Sequence, residues 1–150
     1  MNSFEINKVI RGNVLGLIEG LSVAQLNKIP DGYKNNIIWH FGHLLATQQL
    51  LTYGLSKNEF LLSDNIIEEF RKGTQPEKPY SEDDIEELKF IFSEVINQTE
   101  LDYNDGVFTE FSDYPTSFGI TLTSIEDAVT FNNVHEGLHM GIIMAMKKLV

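Results

Sequence analysis

Near the C-terminus, Ile125, Ala128, Asn132, His135, His139, Ile142 and Met146 follow one another at spacings of three and four, the period of a helix that buries one face. A strand cannot present such a set on one side, because its successive side chains alternate between faces. The stretch therefore predicts a final helix nearly to Val150, capped by Thr123 or Ser124, with Lys147 and Lys148 suiting its C-terminal dipole. His135 and His139 are then one turn apart and point the same way, as two ligands of one metal must. Asn132 interrupts the stripe one turn earlier. Polar groups at core positions need partners, and a metal ion, a carbonyl or a water answers that need.

Three further segments keep the same rhythm. Ile6, Ile10, Val14, Leu17 and Leu21 predict a first amphipathic helix over Phe4 to Leu21, widened by Val9, Leu15 and Ile18 into a surface that suits the core and a partner subunit. Ser22 to Lys34, with Pro30-Asp31-Gly32, reads as a connecting loop. Asn36 caps a second helix that continues to about Leu55, along which Asn36, Trp39, His43, Ala46, Leu50 and Tyr53 form the stripe. Lys57 to Pro79 is weaker, with a short helix around Ile66 to Lys72. Ser81, followed by Glu82, Asp83 and Asp84, opens a third long helix with carboxylates where its dipole favours them, and Ile85, Leu88, Phe92 and Val95 carry it to about Thr99. Phe108, Phe111, Tyr114, Pro115 and Phe118 form an aromatic loop between Val107 and Leu122, suited to covering a pocket. Four amphipathic helices without parallel strands predict an all-α fold, a four-helix bundle, in one domain over residues 1–150.

Composition narrows the function. With no cysteine, a metal site must be built from nitrogen and oxygen, which excludes zinc ribbons, iron–sulfur clusters and a cysteine nucleophile. The net charge of −11 is concentrated between Glu59 and Asp113, where 16 acidic residues face 4 basic ones. Such a segment repels phosphate backbones and argues against nucleic acid, although a solvated helix face accounts for the charge itself. No long apolar run suggests a membrane span, and the N-terminus lacks the features of a signal peptide, so a soluble, cytoplasmic protein is expected.

His135-Glu136-Gly137-Leu138-His139 matches the H-E-x-x-H pattern of zinc proteases, in which the glutamate activates water. The context does not fit: eleven residues remain after His139, and Ala145 stands where an extended motif has its third histidine. A third ligand must come from upstream. His43 shares the core rhythm and is the best candidate, while His40, one turn earlier, is an outer group or a surface residue. Three imidazoles leave a coordination position for water or a substrate thiol. The opposing reading is a set of core histidines satisfied by carbonyls or water. Glu136, beside His135, is a candidate base by adjacency alone.

The segments Asn35-Asn36-Ile37-Ile38-Trp39-His40-Phe41-Gly42-His43 and Phe131-Asn132-Asn133-Val134-His135-Glu136-Gly137-Leu138-His139-Met140-Gly141 together resemble the DinB superfamily, and the similarity spans nearly the whole chain. The resemblance implies an up-down-down-up four-helix bundle, a homodimer, and one divalent metal held by three histidines that match His43, His135 and His139. Zinc and nickel are the expected ions, with iron another that imidazole suits. Characterised members of the family include thiol-dependent S-transferases, which makes a small-molecule substrate and a low-molecular-weight thiol the expected partners. A metal-dependent hydrolase and a non-catalytic metal-binding or dimerisation module are the alternatives.

Overall fold

The computed structural model describes residues 2–150, and it is mostly helical. The elements are α1 (Ser3–Ile18), α2 (Val23–Asn27), α3 (Ile37–Gln49), a π-helical turn (Leu50–Gly54), α4 (Asp64–Phe70), α5 (Glu82–Asn104), a two-residue hairpin of β1 (Tyr114–Pro115) and β2 (Thr121–Leu122), and α6 (Ile125–Met146). Side-chain caps start the long helices. Asn2 and Glu5 form a reciprocal capping box on α1, Ser81 and Asp84 do the same on α5, the Asn36 carbonyl accepts from the Trp39 N–H at 2.7 Å, and Ser124 accepts from Asp127. Each cap satisfies N–H groups that the first turn of a helix leaves without partners.

Helix α1 packs on α5 and α6, while α3 packs on α4, α5 and α6. Every residue of α3 except Thr47 is buried, so this helix is enclosed rather than half-exposed. Ile37, Ile38, Trp39, Phe41, Leu44 and Leu45 cover most of its circumference, and the remaining arc carries His40, His43 and Thr47. One apolar cluster gathers Val14, Ile18, Phe41, Phe92 and Ile143, and a second gathers Phe4, Leu51, Ile96, Leu122 and Ala128. No helix among the described residues is long and apolar enough to cross a membrane.

Several sequence expectations are corrected. The loop from Ser22 to Lys34 contains α2, started by a Ser22 and Gln25 capping box; α5 runs on to Asn104, past Thr99; and α6 ends at Met146, followed by a turn. The aromatic segment folds into the small hairpin, with Tyr114 opposite Leu122 and Pro115 opposite Thr121. The buried face of α1 is Phe4, Asn7, Arg11, Val14 and Ile18, rotated from the expected stripe. Ile6, Ile10, Leu17 and Leu21 are only partly buried. Hydrophobicity misplaced this face because two of its members are polar and are held inside by partners: Asn7 donates to Asn133 at 2.9 Å and Arg11 pairs with Glu136. The face of α6 shifts likewise, with Val129, Glu136 and Ile143 joining Asn132, His139 and Met146 in the interior, while His135 is partly buried.

Candidate metal centre

The site begins with local sequence on α3. Gly42 has no side chain, and a Cβ there would stand 2.4 Å from the Phe70 ring. That absence lets the end of α4 lie against α3, which brings the Phe70 carbonyl within 2.7 Å of His43 Nδ1. A carbonyl only accepts, so Nδ1 carries the proton and the lone pair of His43 is on Nε2. Trp39 stacks on the same imidazole, with centroids 4.6 Å apart and planes 11° from parallel, and the indole N–H donates to Thr74 at 2.9 Å. Ring plane, tautomer and position of His43 are thus all fixed by its neighbours.

Helix α6 brings the other two. His135 Nε2 lies 3.2 Å from His43 Nε2, and one nitrogen from each of His43, His135 and His139 falls within 4.8 Å of the others. Two imidazole nitrogens each about 2.0–2.1 Å from a tetrahedral ion stand roughly 3.3 Å apart. The observed 3.2 Å therefore fits the pair to one small divalent cation. His135 Nδ1 is buried and has no hydrogen-bond partner among the described residues.

His40 is not on the surface. It is buried, and its Nδ1 lies 2.9 Å from His139 Nδ1. That contact occupies Nδ1 of His139 and leaves Nε2 as the nitrogen that could ligate. Ligation through Nε2 requires the His139 Nδ1 proton to be donated to His40, which then holds its own proton on Nε2.

All four imidazoles are held neutral, the form that ligates. Burial, and after it the neighbouring histidines, lower His40 to about 4, His135 to about 3 and His139 to about 2. His43 is also lowered, first by burial and then by the nearby Lys72 ammonium, against the opposing pull of the Phe70 carbonyl.

Glu136 points elsewhere. Its fully buried carboxylate accepts from Arg11 Nη2 at 2.8 Å, from Arg11 Nε at 3.1 and 3.2 Å, and from Asn132 Nδ2 at 2.8 Å. Arg11 in turn donates to the Phe92 carbonyl at 2.8 Å and lies 4.5 Å over the Phe92 ring. One residue along a helix is a rotation of about 100°, which turns Glu136 toward α1 while His135 faces α3. This arrangement differs from that of a zinc protease, whose motif glutamate reaches the water at the metal.

A cavity of about 430 Å³ opens beside the nitrogen cluster. His43 and His135 form part of its wall, with the π-helical turn on one side and Tyr114 to Phe118 of the hairpin segment on another. The aromatic segment thus borders a pocket as expected, but the lining comes from α3, the π-helical turn, the segment after α4, the hairpin segment and α6, and neither α1 nor α5 contributes. Sequence reasoning missed the Phe70 carbonyl, which as a backbone group carries no residue-type signal. It also missed Arg11 and Gly42, whose signals were an arginine within an apolar helix and a glycine inside an otherwise strong one.

No curated protein matches this chain. The DinB superfamily model matches residues 8–143, a range that contains all four histidines, and the chain belongs to that superfamily.

Proposed function

We propose that this protein is a metal-dependent enzyme that transfers a low-molecular-weight thiol to an electrophilic small molecule. The observation that carries the reading is the convergence of three neutral imidazoles, two of them in the wall of a cavity large enough for a small substrate. A divalent ion at His43, His135 and His139, zinc or nickel in this reading, supplies Lewis acidity that lowers the pKa of a thiol or water reaching it. The chain's own part is to orient and to exclude water. Phe70 and His40 set the tautomers of His43 and His139, Trp39 holds the ring plane of His43, and the hairpin segment shields the electrophile.

In the overall step the thiol sulfur forms a bond to the electrophilic carbon, the bond to the leaving group breaks, and the thiol proton passes to solvent. Glu136 takes no part as a base in this scheme, because Arg11 and Asn132 already engage its carboxylate. The same engagement disfavours the hydrolase alternative. The long helices α1, α3, α5 and α6 form an up-down-down-up bundle in this reading, and a homodimer uses α1, where Val9 is 62% exposed.

The test uses zinc- or nickel-loaded protein with cysteine and monochlorobimane, in which a C–S bond replaces C–Cl and fluorescence rises. The expected result is a metal-dependent rate above that of the free ion, lost in His135→Ala. No acceleration with cysteine or a panel of other small thiols would leave the non-catalytic metal-binding module as the better reading.

A further inference from the structure

The cavity beside the histidines is chemically lopsided. Leu50, Leu51, Leu55, Phe118 and Phe131 make most of its wall apolar. The chain has 22 acidic residues, yet none is among those lining the cavity, and Lys72 is the one charged residue there.

Lys72 is also unpaired. Among the described residues it makes no hydrogen bond or ion pair, although its neighbour Arg71 is engaged by Glu68 at 2.7 Å. It shares the cavity lining with His43 and His135. An unpaired cation at the edge of an apolar chamber, in a chain of net charge −11, favours an anion that arrives with the ligand.

We infer that the cavity takes a small, largely apolar molecule carrying one anionic group, with its body against Leu51, Leu55 and Phe131 and the anion at Lys72. This rests on the reading of the cavity as the substrate pocket. It narrows the electrophile to a compact apolar carboxylate or similar anion and disfavours cationic and sugar-like molecules. Because Lys72 is exposed, the charge contributes selectivity of several-fold while burial of the apolar body supplies most of the affinity.

Calorimetric titration at neutral pH and low salt tests this with phenylbutyrate and its uncharged counterpart phenylbutanol. Metal-free and zinc-loaded protein are both used, since a carboxylate also binds zinc directly. In the metal-free parent, phenylbutyrate is expected to bind about fivefold tighter than phenylbutanol, with the preference shrinking at high salt. Lys72→Met removes the preference and leaves phenylbutanol unchanged, while Leu50→Trp blocks both by filling the chamber. Equal binding of the two probes, binding of neither, or a preference that survives in Lys72→Met overturns the inference. Zinc stoichiometry of the same samples separates the two claims. A parent that keeps the preference but takes up no zinc refutes the metal reading alone, and a zinc-binding parent without the preference refutes this inference alone.

Discussion

His40 and Glu136 each sit next to the candidate metal-site residues in a different sense, and they illustrate how neighbours are told apart. His40 is four residues before Leu44 and three before His43, yet it acts across the interface, on His139 of α6. A partner on the second ring nitrogen holds a ligating imidazole in one tautomer, and losing one typically weakens metal binding 10–100-fold. His40→Phe, which keeps an aromatic ring there but removes its nitrogens, is therefore expected to remain folded and to bind zinc about 10–100-fold more weakly, read by competition with a chromophoric chelator. Unchanged affinity would remove His40 from the account. Glu136, adjacent to His135 in sequence, serves the packing of α6 on α1. Removing one member of a buried ion pair typically costs about 3–5 kcal/mol because the other charge is left without a partner. Glu136→Ala is expected to destabilise by that order in urea, and Arg11→Met combined with Glu136→Leu to recover much of the loss. A single variant as stable as the parent would show that Arg11 finds another partner.

At the level of elements, the register between α3 and α4 decides the site. Gly42→Ala forces a Cβ into the Phe70 ring, and overpacking of this kind costs about 1–3 kcal/mol. It also displaces the carbonyl that fixes His43, so zinc affinity is expected to fall along with stability. Gly12 on α1 is the control, for a Cβ there meets nothing within 4 Å. Gly12→Ala is expected to raise stability by roughly 0.5–1 kcal/mol through helix propensity. Opposite signs for the two glycines in thermal melts would support the contact, and equal effects would contradict it. The π-helical turn is a second element-scale device. The Leu55 N–H reaches the Leu50 carbonyl at 3.1 Å, and the wider turn brings Leu50, Leu51, Gly54 and Leu55 to the cavity wall.

These elements also show what a sequence discloses. Helices α3, α5 and α6 were legible because their stripes are long and their caps, Asn36, Ser81 and Ser124, are of the right chemistry. The histidine trio was legible for a related reason, since imidazoles at apolar positions break a periodic pattern. The buried face of α1 was not legible: Asn7 and Arg11 are interior only because Asn133 and Glu136 meet them from α6, and no window of local sequence contains both partners. The π-helical turn was hidden as well, because Leu50 to Gly54 continues the apolar pattern of α3 and only the hydrogen bonding changes.

Across the whole molecule, burial and charge are divided between two tasks. The enclosed α3 and the α6 stripe keep three histidines in the interior and His135 partly buried, all four neutral, while the acidic residues stay off the cavity lining. Buried imidazole lone pairs are unfavourable without something to meet them, and a bound ion would both satisfy them and tie α3 to α6. Binding to the folded state alone raises stability by mass action, so the melting temperature is expected to rise with added zinc. The most direct test is the metal content, by mass spectrometry, of protein purified without a histidine tag, beside His43→Ala. The account predicts about one ion per chain in the parent, as a three-histidine site requires, and clearly less in a variant that is still folded. No ion in the parent after exposure to zinc and nickel, or equal loading of both proteins, would contradict it.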